Sequence, residues 1–116
     1  MKETININAL SELSGGDNEF VKEILQLFVE NTPAELKKMK KHLDDNNAKE
    51  LAEVLHKMKS YSAPLGLEQM RLKIYNLESN LKSKDALAIK DEVDEFVLFM
   101  ENLIENTNIQ ITHLNS

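Results

Sequence analysis

The amino-acid sequence predicts an all-helical (all-α) domain, built as an antiparallel up-down four-helix bundle with a short additional N-terminal helix. Apolar residues recur at the three- and four-residue spacing of amphipathic helices through most of the chain, without strand-like alternation. Gly and Pro number only 3 and 2, and aromatic residues make up 5%, which is less than β-rich domains usually contain. The connections between the predicted helices are short, which favours antiparallel neighbours.

Length and composition limit the function further. A chain of 116 residues suits a single domain over residues 1–116. The net charge of −6 disfavours a nucleic-acid partner, because an acidic surface repels phosphate backbones. Cysteine is absent, which excludes disulfides, thiol catalysis and most structural zinc sites. No apolar run approaches the roughly 20 residues of a membrane span, and the start lacks the apolar core of a signal peptide. We therefore expect a cytoplasmic protein without a membrane partner.

The first predicted element is a short helix that closes one end of the bundle. Apolar residues stand at every third position from Ile7 to Leu13, which is the spacing of one helix face. Gly15 and Gly16 end this helix, because glycine accepts the left-handed conformation common at helix C-termini. Asp17 is then expected to cap the next helix through its side-chain oxygen.

The second predicted helix is long and runs from about residue 18 to about Leu43. Its apolar stripe is continuous, but Thr32, Pro33 and Glu35 have the pattern of an N-cap, a first helical residue and a capping box. We therefore predict one long helix that is kinked near Pro33.

The third predicted helix carries the candidate site. Asn47 and Glu50 have capping-box spacing at its start, and it runs to about Ala63. Pro64 and Gly66 end it.

Two further helices complete the predicted bundle. One covers about residues 67–81, and the last follows a cap at Ser83 or Asp85. We place the bundle core at residues 17–106 and expect the polar residues 107–116 to form a frayed tail.

Three histidines are candidates for chemistry. His113 lies in the predicted tail, and His42 lies on the last turn of its helix, where an imidazolium would be attracted to the negative end of the helix dipole. His56 differs, because a helical step of about 100° per residue places it about 140° from Leu51, away from the core. Its neighbours on that exposed face are short except for one lysine: Ala52, Lys59, Ser60 and Ala63.

An exposed imidazole beside a lysine suits a phosphoryl acceptor. A neutral imidazole nitrogen is nucleophilic near neutral pH and needs no activating base. A phosphorylated ring would carry about two negative charges near neutral pH. Lys59, one turn from His56, can reach that charge, and the Ser60 hydroxyl can donate a hydrogen bond. The alternative is an ordinary surface His and Lys on a solvated helix face, which the geometry alone favours.

The segment that begins at His56 resembles the signature of histidine-containing phosphotransfer (HPt) domains. In that family a histidine is followed by a lysine three residues later, then by small residues, and by a glycine ten residues after the histidine. All of these are present: His56, Lys59, Ser60, Ser62 and Gly66. The segments 13–17 and 32–36 also resemble runs found in these domains, so the resemblance covers most of the chain.

The resemblance implies a function and a role for each residue. His56 would accept a phosphoryl group from the aspartyl phosphate of a receiver domain and pass it to another receiver. Lys59 would stabilise the charge of the phosphoryl group, and Gly66 would let the backbone pack closely. The implied partners are response-regulator receiver domains and a histidine kinase, including the hybrid type. Mg²⁺ is expected in the acidic pocket of the receiver.

The chain lacks the parts of a kinase. It has no glycine-rich phosphate loop and no second domain to hold ATP, so we expect no autokinase activity. No carboxylate cluster is predicted near His56, so we expect no metal and no cofactor of its own. The protein is predicted to be a phosphotransfer intermediate and not a true enzyme. Its partner would dock over the first half of the bundle, through apolar residues of the segments 5–13 and 20–28.

Two residues depart from the family pattern. Tyr61 stands where the family usually has a small residue, and we predict that it packs at the core border with its hydroxyl toward solvent. Pro64 removes a helical hydrogen bond to Ser60. Neither lies on the exposed face of His56.

Three alternatives stay open. A non-catalytic adapter of the same fold would bind a receiver or a kinase without phosphotransfer. The dimerisation and acceptor region of a kinase would require an obligate dimer, whereas five predicted helices suffice to close one core in a monomer. A metal-dependent enzyme is the weakest alternative, because Glu53 is the one acidic residue within four positions of His56.

Overall fold

The computed structural model describes residues 3–115. Within this range the chain forms five α-helices and one 3₁₀ turn, and no residue lies in a strand, so the predicted all-helical class is confirmed. No helix of the range is both long enough and apolar enough to cross a membrane. The elements, in chain order, are α1 (Ile7–Leu13), α2 (Asn18–Asp44), α3 (Ala48–Ser60), α4 (Glu68–Leu81), the 3₁₀ turn (Ala86–Ile89) and α5 (Lys90–Asn115).

The long helix α2 holds the other elements together. It packs against α1, α3 and α5, while α4 contacts both α3 and α5. Burying one large aliphatic side chain contributes about 1.5 to 3 kcal/mol, so the shared core fixes the rotation of each helix. The fully buried residues are mostly aliphatic or Met and include Leu25, Met39, Leu51, Leu55, Met58, Met70, Ile74, Ile89, Met100 and Leu103.

The predicted caps of the second and third helices are confirmed. Asp17 Oδ1 accepts hydrogen bonds from the backbone N–H groups of Glu19 and Phe20, at 3.0 and 3.2 Å. Asn47 Oδ1 accepts the backbone N–H of Glu50 at 3.1 Å. A cap of this kind contributes about 1 kcal/mol, and the two caps fix where α2 and α3 begin.

The prediction of one long second helix is confirmed, but the N-cap predicted at Thr32 is wrong. The chain forms one helix through Pro33, and Thr32 is buried inside α2 instead of capping a new helix. A proline inside a helix costs about 3 kcal/mol, because one hydrogen bond is lost and the ring clashes with the preceding turn. α2 buries side chains on both sides of Pro33, from Val21 to Leu43, and this burial outweighs that cost.

Two helix boundaries differ from the prediction by a few residues. α3 ends at Ser60, because the buried Ser62 hydroxyl donates to a carbonyl of the last turn at 2.7 Å and competes with a continued helix. The last helix begins with the 3₁₀ turn, where Asp85 makes no side-chain capping bond. Instead, Asn46 of the α2–α3 loop accepts the N–H of Leu87 at 3.0 Å.

The C-terminal residues 107–115, for which the sequence predicted a frayed tail, belong to the helix α5. Thr107 is buried, with its hydroxyl bonded at 2.8 Å to the carbonyl four residues earlier. Gln110 Nε2 donates to the carbonyl of Ile5 at 2.9 Å. The N-terminal segment thus supplies hydrogen-bond partners that a polar tail alone would lack. Ser116, the last residue of the predicted tail, lies outside the described residues.

The same N-terminal segment caps α4. The carboxylate of Glu3 accepts the backbone N–H groups of Gln69 and Met70 at 2.8 and 2.9 Å, and Asn106 Nδ2 donates to the Glu3 carbonyl at 3.3 Å. A negative charge at a helix N-terminus is favourable, because it meets unpaired N–H groups and the positive end of the dipole. Glu3 therefore helps to fix α4 beside α3.

Candidate functional site

The helix α3 presents His56 to solvent. Leu51, Leu55 and Met58 are fully buried on the inner face of α3, and the helical period turns His56 outward. The side chain of His56 is 74% exposed. This is the solvent-facing position that the periodicity of the sequence indicates.

A carboxylate from α4 faces the ring of His56. Glu78 Oε2 lies 3.5 Å from His56 Nδ1, and Glu78 Oε1 accepts a hydrogen bond from Lys59 Nζ at 2.6 Å. The Glu78 side chain is only 18% exposed, so the site is partly shielded from water on this side. Sequence reasoning missed Glu78 because it belongs to another helix. Its one local signal is a position beside the inward-facing Ile74 and Leu77, at the edge of the buried stripe.

The Glu78 carboxylate favours one tautomer of the neutral His56 ring. A carboxylate only accepts hydrogen bonds, so a hydrogen on Nδ1 is favoured over a lone pair at that position. The lone pair is then on Nε2, on the other side of the ring. An exposed ring in this tautomer can attack an electrophile that another molecule brings to it.

Lys59 lies beside the site as part of an ion pair. Its bond to Glu78 holds the ammonium one helical turn from His56, with the Lys59 side chain 28% exposed. A phosphoryl group on the ring would add about two negative charges near neutral pH. Such a group would compete with Glu78 for the ammonium, since charge-assisted hydrogen bonds are among the strong ones.

Ser60 is close to His56 in the chain, but its hydroxyl is directed elsewhere. The Ser60 Oγ donates to the carbonyl of Lys57 at 2.6 Å. Such local bonds to the preceding turn are common for serine in helices. The structure therefore directs the Ser60 hydrogen to its own helix and not to the imidazole.

Gly66 lies where the N-terminal segment crosses the loop after α3. Its φ is +69°, and a Cβ on this residue would lie 2.7 Å from the Cβ of Asn6. Asn6 is fixed in place, because its N–H donates to the Leu65 carbonyl at 2.9 Å and its side chain accepts the N–H of Ala9. The absence of a side chain at Gly66 thus permits close packing, the role that the resemblance implies.

An apolar groove of about 540 Å³ lies between α1, α2 and the residues at the end of α3. Three of its large side chains are exposed to solvent: Leu13 at 75%, Leu27 at 51% and Phe20 at 39%. Lys57, the residue after His56, lies at the border of the groove. The sequence alone cannot separate these residues from the core, because buried Leu25 belongs to the same segment.

A buried carboxylate also lies at the border of the groove. Glu35 is 7% exposed, accepts a hydrogen bond from Lys57 Nζ at 3.0 Å, and lies 3.7 Å from Lys38 Nζ. An isolated carboxylate would be costly to bury, and the two lysines compensate its charge. Lys57 is therefore directed toward α2 and joins the groove to the turn of α3 that carries His56.

The sequence predicted that the hydroxyl of Tyr61 points to solvent, but the hydroxyl lies against α2 instead. The ring packs edge-on against Phe28, with the centroids 6.3 Å apart and the planes at 84°. Burial and the charge of Glu35 raise the pKa of Tyr61 to about 12, against the opposing effect of a hydrogen bond with Thr32. The neighbours of the hydroxyl, Thr32 and Glu35, are thus residues of the groove wall. Pro64 lies after the end of α3, in the exposed wall of the same groove.

The other two histidines belong to helix ends. His42 is half-buried on the last turn of α2, and its carbonyl accepts the N–H of Asn47 at 2.8 Å. His113 lies on the last turn of α5. Between residues 3 and 115, no three His, Cys, Asp or Glu side chains are grouped so that they could hold a metal ion.

Comparisons with known proteins agree on the fold. The family model of the Hpt domain matches residues 23–108. Among solved structures, the chain is similar to the HPT domain from the Hpt sensor hybrid histidine kinase from Shewanella, with a TM-score of 0.80 and 16% sequence identity over 97% of each chain. At this level of identity the likeness shows the fold alone. No curated protein matches the chain.

Proposed function

The chain belongs to the Hpt domain family, and we propose that it is a histidine phosphocarrier of a two-component phosphorelay. Family and fold make it a phosphotransfer module of two-component signalling. In the proposal, His56 accepts a phosphoryl group from the aspartyl phosphate of one receiver domain and passes it to the aspartate of another. The observation that supports it most is the exposed His56 ring, whose Nδ1 faces Glu78 and whose Nε2 is left to react.

We also propose that α2 to α5 form the antiparallel up-down four-helix bundle and that the protein acts as a cytoplasmic monomer. The contacts α2–α3, α3–α4, α4–α5 and α2–α5 close a ring around the core, which supports this arrangement. A ring closed within one chain needs no second copy to bury its apolar faces. Sedimentation at equilibrium would test the monomer, and an obligate dimer would contradict it.

The proposed transfer step balances atoms and charge. The Nε2 lone pair of His56 attacks the phosphorus, the bond between phosphorus and the aspartyl oxygen breaks, and the aspartate leaves as a carboxylate. The hydrogen stays on Nδ1, so the ring gains positive charge opposite the Glu78 carboxylate. Lys59 stabilises the phosphoryl oxygens, and Ser60 can donate a second bond once its hydroxyl leaves the Lys57 carbonyl. The Mg²⁺ that such transfers use belongs to the receiver.

The apolar groove is the proposed docking surface for the receiver. Leu13, Phe20 and Leu27 are exposed and line this one groove, and clustered exposed apolar groups mark interaction sites. The border of the groove at Lys57 adjoins His56 in the chain. A receiver seated in the groove would therefore extend over the imidazole.

Transfer of labelled phosphate tests the proposal. The chain is incubated with a receiver domain carrying labelled aspartyl phosphate, and the label should move to the chain as an acid-labile, alkali-stable phosphohistidine. His56→Gln should abolish the label, whereas the matched variant His42→Gln should keep it. Transfer that survives His56→Gln would refute the assignment. NMR of the labelled ring should place the phosphorus on Nε2.

A non-catalytic adapter is the second candidate, because the groove is complete without His56. An adapter would bind a receiver or a kinase with the same affinity in His56→Gln and would take up no label from a phosphorylated receiver.

A further inference from the structure

The helix α2 carries opposite charges on its two halves. Exposed acidic residues stand on the N-terminal half, and exposed lysines stand on the C-terminal half. Lys22, the one basic residue of the acidic half, is only partly exposed and pairs with Glu19 at 3.5 Å. On the C-terminal half the one exposed carboxylate is that of Asp44, the last residue of the helix, so the division holds from Glu19 to Lys41. The residues concerned are Glu19, Glu23 and Glu30, and then Lys37, Lys38, Lys40 and Lys41.

The helix dipole does not account for this division. It favours acidic residues in the first turn and basic residues in the last, and its effect falls off within one turn. Glu19 and Lys41 lie in those turns, but Glu23 and Glu30 do not. Glu23, Glu30 and Lys41 form no ion pair with any residue of the range 3–115. Their charges are thus available to another molecule.

The acidic half borders the apolar groove. Glu23 follows Phe20 by three residues and precedes Leu27 by four, and Glu30 follows Leu27 by three. Residues at these spacings are neighbours on a helix surface. An apolar helix seated on Phe20 and Leu27 would therefore have the two carboxylates along one flank.

The sign of the charge changes at the level of His56. Glu35 lies between the two halves of α2 and bonds to Lys57, the residue next to His56. Lys38 and Lys41 continue from that level away from the groove. A partner centred on His56 would cover carboxylates on one side and ammonium groups on the other.

We propose that this charge division selects the receiver and sets its orientation, an inference that rests on the proposed phosphocarrier function. The receiver that fits has a docking helix with an apolar stripe, basic residues along the flank that faces Glu23 and Glu30, and acidic residues opposite Lys38 and Lys41. Turned by half a rotation, the same receiver would bring like charges together, which is strongly unfavourable at an interface. One orientation thus places the aspartyl phosphate at His56.

Two double charge reversals on α2 test the inference with the receiver that transfers label to His56. The first variant combines Glu23→Lys with Glu30→Lys, and the second combines Lys38→Glu with Lys41→Glu. Each variant should lower the association rate roughly tenfold at low salt. The loss should shrink as salt rises, because exposed charges are screened. The single substitution Lys41→Glu, at a residue without an ion pair, should also slow association. It provides a second test in case Lys38→Glu disturbs Glu35.

The matched control is Glu92→Lys with Glu95→Lys. Both residues are exposed on α5, toward α4, and this variant changes the net charge as much as the acidic reversal on α2. The control should associate at nearly the wild-type rate, and charge reversal on the receiver's docking helix should rescue the Glu23 and Glu30 variant.

Three results distinguish the outcomes. If the two reversals on α2 change the association rate in opposite directions, the receiver responds to the net charge of the chain and the inference is wrong. If both behave like the control, the charges on α2 play no part in docking and the inference is again wrong. If the wild-type chain takes up no label from any receiver, the phosphocarrier function itself fails.

Discussion

The substitution Gly66→Ala tests how the N-terminal segment packs on the loop after α3. At the φ of +69°, a residue with a side chain is strained by about 1 to 2 kcal/mol. The new Cβ would also lie 2.7 Å from the Cβ of Asn6, far inside contact distance. Overpacking of this kind costs about 1 to 3 kcal/mol. We therefore expect Gly66→Ala to lower the free energy of unfolding by about 2 to 5 kcal/mol, the combined size of these two effects.

Gly15→Ala is the matched control for the backbone effect. Its φ is +70°, and nothing lies within 4 Å of the position that a Cβ would take. This variant should lose only the backbone contribution of about 1 to 2 kcal/mol. The difference between the two alanine variants isolates the contact with Asn6. Asn6→Gly in the Gly66→Ala background should remove most of that difference, once the effect of Asn6→Gly alone is subtracted.

Urea denaturation followed by far-ultraviolet circular dichroism measures these free energies of unfolding. If Gly66→Ala and Gly15→Ala lose the same stability, the close approach of Asn6 to Gly66 has no energetic effect and the reasoning fails. The same holds if Asn6→Gly brings no recovery in the double variant.

Two further predictions concern the site and the groove wall. Glu78→Gln removes a carboxylate 3.5 Å from His56 Nδ1. Because a charge at that distance in water-like surroundings contributes about 1 kcal/mol, phosphotransfer should slow about fivefold. An unchanged rate in the labelling assay would contradict the role of Glu78. Because the Tyr61 pKa is raised from 10.0 to about 12, folding favours the neutral phenol, and this contribution is complete below pH 10 and is lost as pH rises toward 12. Wild type should therefore lose more stability than Tyr61→Phe over that interval in urea titrations, and parallel losses would contradict the burial of the hydroxyl.

The fold class and the helix starts could be predicted because they depend on local patterns. The caps at Asp17 and Asn47 need only a side-chain oxygen two or three residues before the N–H groups that it accepts. The errors arise where distant segments decide the outcome. Thr32 has the local pattern of an N-cap, yet packing along α2 buries it in the helix interior. Gln110 looks like part of a polar tail, yet its partner is the carbonyl of Ile5 at the other end of the chain.

In the candidate site, too, the features that depend on local patterns could be predicted, and those that depend on distant segments could not. The exposure of His56 follows from the period of α3 alone, since the buried Leu55 and Met58 fix the rotation of that helix. Glu78 lies on α4, and no local sequence pattern indicates that it lies next to His56. The hydroxyl of Tyr61 turns inward because α2 supplies groups close to it, which the sequence of α3 does not contain. Prediction from a single sequence therefore identifies the candidate acceptor, His56, more easily than it identifies the residues around it.

The surroundings of His56 explain how one site could both accept and donate a phosphoryl group. In the proposed relay, Glu78 stabilises the positive ring that forms on transfer and at the same time repels the phosphoryl oxygens. Lys59 attracts those oxygens but is shared with Glu78 at 2.6 Å, and Lys57 is bonded to Glu35. A site with uncompensated cations would accept the phosphoryl group readily and release it slowly, because the charge-assisted bonds that hold the group must break before it leaves. In the proposed relay, the exposed and partly compensated site of His56 would instead keep the two directions of transfer close in free energy, which a relay between two receivers requires.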